Sequence, residues 1–229
     1  PTTGSGPETT TGDPTEEPTA GDSGDPSTTG DPSTTGDPST TGEVAPTPGA
    51  DVDVLVGRAE LALKQEQYLT PATRSFGDYY RQIKAASPEH ESLARFSKEA
   101  RKPITTAANL ALKEKRWNDA VGLFRIVKDF GEAELKRIRK PYLTALLQEG
   151  RMYRALGNHD QSLANADEAL TISPKSGEAH MLRGEALGKL ERWHDAVTAF
   201  KAATTHGKSR EAKRALADAR KQARKQPKP

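Results

Sequence analysis

LLQEGRMYRALGNHDQSLANADEALTISP, residues 146–174, and HMLRGEALGKLERWHDAVTAFKAATTHGK, residues 180–208, repeat one pattern at an offset of 34 residues. Gly150 aligns with Gly184, Tyr153 with Leu187, His159 with Trp193, Ser162 with Ala196, Leu163 with Val197, Ala166 with Phe200 and Ala169 with Ala203. Self-similarity at a fixed period of this length marks stacked units, each of which buries its apolar face only against its neighbours.

Each unit reads as two amphipathic helices joined by a short turn, at Gly157-Asn158 in one and Glu191-Arg192 in the other. Gly150, Ser162 and Ala169, then Gly184, Ala196 and Ala203, are small where two helices must approach closely, and large apolar residues fill the space between them. Pro174 ends the second helix of the first unit, because proline lacks the donor that a helix interior needs.

The pattern continues upstream. Trp117, Ala120, Phe124 and Val127 repeat the spacing of Trp193, Ala196, Phe200 and Ala203, so residues 113–130 supply a turn and a second helix. The matching first helix is expected over about 103–114, with Pro103 in its first turn, where proline is tolerated. Additional residues in GEAELKRIRKP (131–141) predict a longer helix end or a loop. Residues 54–88 form an earlier, divergent unit whose second helix is expected from near Pro71 to just before Pro88. At the other end, Ala212, Ala215, Leu216, Ala219 and Ala223 make a narrow apolar stripe over 209–226, as a terminal capping helix should. Trp117 and Trp193, beside the turns, are expected to be core anchors.

The 34-residue helix-turn-helix with Gly150, Tyr153, Ser162, Ala169 and Pro174, and with Gly184, Leu187, Ala196, Phe200 and Ala203, resembles the tetratricopeptide repeat. The resemblance covers residues 143–176 and 177–210 well, and less closely 101–134 and 53–88. It implies an all-α solenoid of helical hairpins over 51–226, closed by the capping helix 209–226. Glu149 and Arg183 stand where the family has apolar residues. Their equivalent positions and opposite charge predict that they pair across the repeat interface.

Residues 1–50 are chemically different. They hold nine acids and no lysine or arginine, which leaves 34 bases against 23 acids in residues 51–229. Three Pro-Ser-Thr-Thr-Gly blocks recur between Gly24 and Glu43. Ordering a residue costs about 1–2 kcal/mol, and this stretch has too little apolar surface to offset that. It is therefore expected to be a disordered acidic linker, spanning roughly 40 Å as a flexible chain. Such a stretch resembles the tethers that follow the lipid-modified cysteine of bacterial surface lipoproteins. That likeness implies an envelope location and a membrane link only through an anchor upstream of Pro1.

No enzyme constellation survives inspection, and the chain is expected to be non-enzymatic, without cofactor or metal. There is no cysteine. GKS at 207–209 lacks its upstream glycine, since residue 202 is Ala202, and it joins helices rather than a strand to a helix. HESLA at 90–94 begins like a zinc-protease helix but has no second histidine. The five histidines take no metal-ligand spacing, and His159-Asp160 and His194-Asp195 fall at turns.

What remains is surface. In the family resembled, the first helix of each unit lines a groove for a peptide or partner protein. Carried over by position, that implies Thr144, Leu147, Gln148, Arg151 and Arg154, then Glu178, Met181, Glu185, Gly188 and Lys189. Arg151 and Arg154 share a helix face and could bind an acidic segment. The asparagine and lysine set that clamps a chaperone's C-terminal carboxylate is missing from these positions. The leading expectation is an adaptor that recruits a protein or peptide on a tether. An alternative makes the chain the docking or sensory part of a larger enzyme, such as a membrane-bound serine/threonine kinase. A third gives the work to the basic end, where Lys208–Lys228 carries nine bases and two acids and could meet anionic lipid or nucleic acid. That segment has no aromatic residue for base stacking, which disfavours nucleic acid. The acidic segment 1–50 is expected to compete for the basic surface, so deleting it should raise affinity for an acidic partner.

Overall fold

The computed structural model describes residues 51–207 and 209–226; the linker expected over residues 1–50 lies outside them. Every regular element described is a helix: α1 (Val52–Lys64), α2 (Phe76–Ala86), α3 (Glu91–Lys113), α4 (Trp117–Asp129), α5 (Glu132–Ala155), α6 (His159–Ile172), α7 (Gly177–Lys189), α8 (Trp193–Gly207) and α9 (Arg210–Ala223). They pack in sequence as four hairpins, α1–α2, α3–α4, α5–α6 and α7–α8, with α9 laid against α8. The first helices α3, α5 and α7 also touch in succession, so the fold is an all-α, tetratricopeptide-type solenoid with a C-terminal capping helix.

Four equivalent turns set the register. Glu66, Lys115, Gly157 and Glu191 each take a left-handed backbone, with φ of 56°, 61°, 82° and 57°. At each turn the next residue's N–H donates to the carbonyl five residues back: Gln67 to Ala62, Arg116 to Ala111, Asn158 to Tyr153 and Arg192 to Leu187, all at 2.9 Å. This left-handed cap closes the carbonyl end of every first helix. The two turns predicted from sequence are among the four.

Two first helices are longer than their periodicity suggests. Helix α3 begins at Glu91, well before the expected start, and Pro103 lies in its interior. His90 caps its N-terminus by accepting from the Ser92 N–H, and Phe96 is fully buried in edge contact with Phe76. The early turns thus have a core partner, while Pro103 sits on the exposed side, where water can satisfy the carbonyl it leaves unpaired. In the same way GEAELKRIRKP is the break at Gly131 (φ 134°) followed by the opening turns of α5, with Pro141 inside that helix. In the first hairpin the second helix starts at Phe76 rather than near Pro71. The segment between is a loop closed by the Phe76 N–H donating to the Gln67 carbonyl at 2.8 Å and the Gly77 N–H to Tyr68 at 3.1 Å.

The small residues sit at the closest helix approaches. A Cβ at Gly150 would lie 2.6 Å from Leu182, and one at Gly184 the same distance from the Phe200 ring. Ser162, Ala120, Ala169, Ala196, Phe124 and Leu187 are fully buried, and Phe200 and Ala203 nearly so. Trp193 packs half-buried against the cluster of Leu187, Ala196, Ala199, Phe200 and Ala219. Trp117 and Tyr153 are also half-buried. The two tryptophans therefore edge the core rather than fill it.

Candidate functional surface

Helices α5 and α7 lie side by side, and four of the ten carried-over groove positions pair across them. Arg151 of α5 pairs with Glu178 of α7 at 2.9 Å, and Arg154 pairs with Glu185. The two arginines that could have met an acidic ligand thus have carboxylate partners inside the protein. Leu147 is drawn into the core at 7% exposure. Thr144 is exposed, its hydroxyl donating to the Lys140 carbonyl at 3.1 Å. Gln148 and Met181 are half-buried, Lys189 is exposed, and Gly188 lies under the Trp193 ring. The surface between α5 and α7 is therefore a row of alternating charges, with Met181 as an apolar element and Lys189 as a cation that enters no ion pair among the described residues.

The expected Glu149–Arg183 pair does not form. Arg183 donates instead to Asp167 of α6 at 2.6 Å. Glu149, buried at 4% exposure, accepts from the Asn165 amide at 2.9 Å. Both side chains are taken by α6, Glu149 by Asn165 and Arg183 by Asp167.

Glu149 belongs to a larger buried polar junction of α4, α5 and α6. Arg125 donates to Glu168 at 2.9 and 3.0 Å and to the Asn165 carbonyl oxygen at 3.3 Å. Lys128 donates to Glu168 at 2.6 Å, and the Tyr142 hydroxyl donates to the same carboxylate. Burial alone would raise the Glu168 carboxyl, but the charge of Arg125 and the hydrogen bonds from Lys128 and Tyr142 outweigh it and hold it below the usual carboxylate range. Burial raises the Glu149 carboxyl to about 7, against the opposing pull of Arg125 and Asn165. Burial and the neighbouring Glu168 charge raise the Tyr142 hydroxyl as well. Sequence reading misses this junction because Arg125 and Glu168 are 43 residues apart. Its one local signal is a carboxylate, Glu149, at an apolar register position.

Among the described residues no three His, Cys, Asp or Glu side chains converge to hold a metal ion. Gly207 ends α8 and Ser209 caps α9, so the GKS segment joins two helices. No described helix is long and apolar enough to cross a membrane.

No family model matches the chain, and no curated protein matches it. Among solved structures it is similar to the Arabidopsis OM64 TPR domain, at 24% identity and a TM-score of 0.39, over 55% of this chain and 98% of that one.

Proposed function

We propose that the chain is a non-enzymatic protein-interaction scaffold that receives a peptide or partner-protein segment on the face shared by α5 and α7. The carrying observation is the Arg151–Glu178 and Arg154–Glu185 row, which brings residues from two successive first helices onto one surface. Because both arginines are paired, a ligand there gains little from simple negative charge. It is better matched by a segment with an apolar side chain for Met181 and an acceptor for Lys189 and Gln148. The base-free acidic composition of residues 1–50 supports extending this reading to a tethered adaptor at a cell envelope.

Selection of binders from a displayed peptide library against the full chain tests the proposal. Bound peptides should shift the backbone resonances of Gln148, Met181 and Lys189, and Met181→Ala with Lys189→Glu should abolish the shifts without loss of helix content. Peptides that bind but leave α5 and α7 unperturbed would overturn it, as would a library that yields none.

A further inference from the structure

The seam between α8 and α9 carries two adjoining cavities. One, of about 390 Å³, lies at the start of α8 and is lined by His194, Val197, Arg220, Ala223, Arg224 and Gln226. The other, of about 360 Å³, is lined further along by Lys213, Leu216, Ala217 and Arg220 together with Thr204 and Thr205. Arg220 belongs to both. Lys213, Arg220 and Arg224 recur at intervals of seven and four, which sets them in one stripe along α9 spanning about 16 Å.

Most arginines outside this stripe have carboxylate partners. Ten arginines elsewhere among the described residues are held in ion pairs. No lysine or arginine of α9 enters an ion pair among the described residues, and its two acids, Glu211 and Asp218, line neither cavity. The His194 Nε2 atom is buried at the seam without a hydrogen-bond partner. The Gln226 amide donates to the Glu191 carbonyl at 3.0 Å, fixing the end of α9 against the α7–α8 turn and so the shape of the first cavity. Thr204 and Thr205 donate their hydroxyls to the Lys201 carbonyl, so positive charge rather than hydroxyl donors defines what the seam recognises. Its floor is apolar: Val197, Leu216 and Ala223.

We infer that the α8–α9 seam is a docking groove for an extended acidic peptide segment of a partner protein. Carboxylates of the segment meet Lys213, Arg220 and Arg224 along the rim, and intervening apolar side chains lie on the floor. Charge complementarity selects the anion, and the length of the stripe selects an extended segment over a small ion. The described part of α9 offers no aromatic side chain on which a base could stack, so the groove does not suit nucleic acid. Val197 and Leu216 are half-buried and Ala223 is buried, so the seam presents no protruding large apolar side chain to a bilayer. The seam belongs to α8 and α9, and the inference stands apart from the α5–α7 surface.

The test uses the full chain and a fluorescein-labelled peptide of alternating glutamate and leucine, with its glutamine counterpart, a single-stranded oligonucleotide and phosphatidylserine vesicles as competitors. The expected result is binding of the glutamate peptide alone, weakening as salt is added. Arg220→Gln with Arg224→Gln should weaken it by at least about tenfold. Arg58→Gln in α1 with Arg139→Gln in α5, both exposed and in no ion pair among the described residues, removes the same charge and should leave it unchanged, with helix content and Tm confirming that both variants fold. Absence of binding at low salt, equal weakening by the control pair, or tighter binding of the oligonucleotide or vesicles would each overturn the inference.

Discussion

The Glu149 carboxylate accepts a 2.9 Å hydrogen bond from the Asn165 amide, and both side chains are buried, at 4% and 3% exposure. Burial raises the carboxyl from an ordinary 4.5 to about 7. Between those values the folded chain holds a proton that the unfolded chain has released, so stability falls as pH rises and the full cost is present above pH 7. At about 1.4 kcal/mol per unit, the cost is on the order of 3 kcal/mol. Glu149→Gln keeps an acceptor for Asn165 and removes the charge. Thermal melts should show the parent losing several degrees between pH 5 and pH 8 and the variant losing little over the same range. Parallel pH profiles would show that Glu149 is not the group responsible.

Glu168 has the opposite linkage. Its folded carboxyl lies below the usual range, so its contribution is complete above the unfolded value and is lost as pH falls through the folded one. Glu168→Gln strands Arg125 and Lys128, whose side chains keep 30% and 37% of their surface exposed. That exposure screens the loss, which should be roughly 2–3 kcal/mol rather than the larger cost of a fully buried break. Tyr142→Phe removes one donor to the same carboxylate and should cost about 1–2 kcal/mol. Urea denaturation at pH 7 measures both, and a Tyr142→Phe loss exceeding that of Glu168→Gln would place the stability of the junction elsewhere.

These two groups mark how far the sequence could be read. Gly150, Ser162, Gly184 and Ala196 recur because two helix axes can approach only where side chains are small, and that constraint is periodic, so the repeats were legible. The start of α3 was not, because it depends on His90 capping the helix and on Phe96 finding Phe76, a contact outside any repeat spacing. The Glu149–Arg183 expectation failed because α6 supplies each of them a partner, Asn165 and Asp167, that no repeat spacing announces. The groove positions could be listed by register, but whether Arg151 and Arg154 were free or paired depended on the reach of Glu178 and Glu185.

The glycines of the helices separate by what surrounds them. Nothing lies within 4 Å of a Cβ added at Gly57 in α1, whereas one at Gly184 in α7 would sit 2.6 Å from the Phe200 ring. Gly57→Ala should stabilise the protein by about 0.5–1 kcal/mol through helix propensity alone. Gly184→Ala should destabilise it by about 1–3 kcal/mol, because the ring and the α7–α8 spacing must give way together. Ala196→Leu, in the facing helix, should cost a similar amount. Chemical denaturation of the three variants checks the set, and a Gly184→Ala protein as stable as the parent would mean that the hairpin is less tightly closed than the fold requires.

The four left-handed turns offer a test that touches no packing. Lys115 and Glu191 hold φ of 61° and 57° with side chains that resist that conformation, while Gly157 holds φ 82° without hindrance. A non-glycine residue pays about 1–2 kcal/mol there, partly offset by the greater freedom of an unfolded glycine. Lys115→Gly and Glu191→Gly should therefore each add about 0.5–1 kcal/mol, and Gly157→Ala should remove about 1 kcal/mol. Lys115 and Glu191 are in separate hairpins, so their gains should add in the double variant. Melting temperatures of the four proteins measure this directly. A loss at Lys115→Gly beside a gain at Glu191→Gly would mean that the Lys115 side chain contributes more at the α3–α4 turn than the backbone recovers.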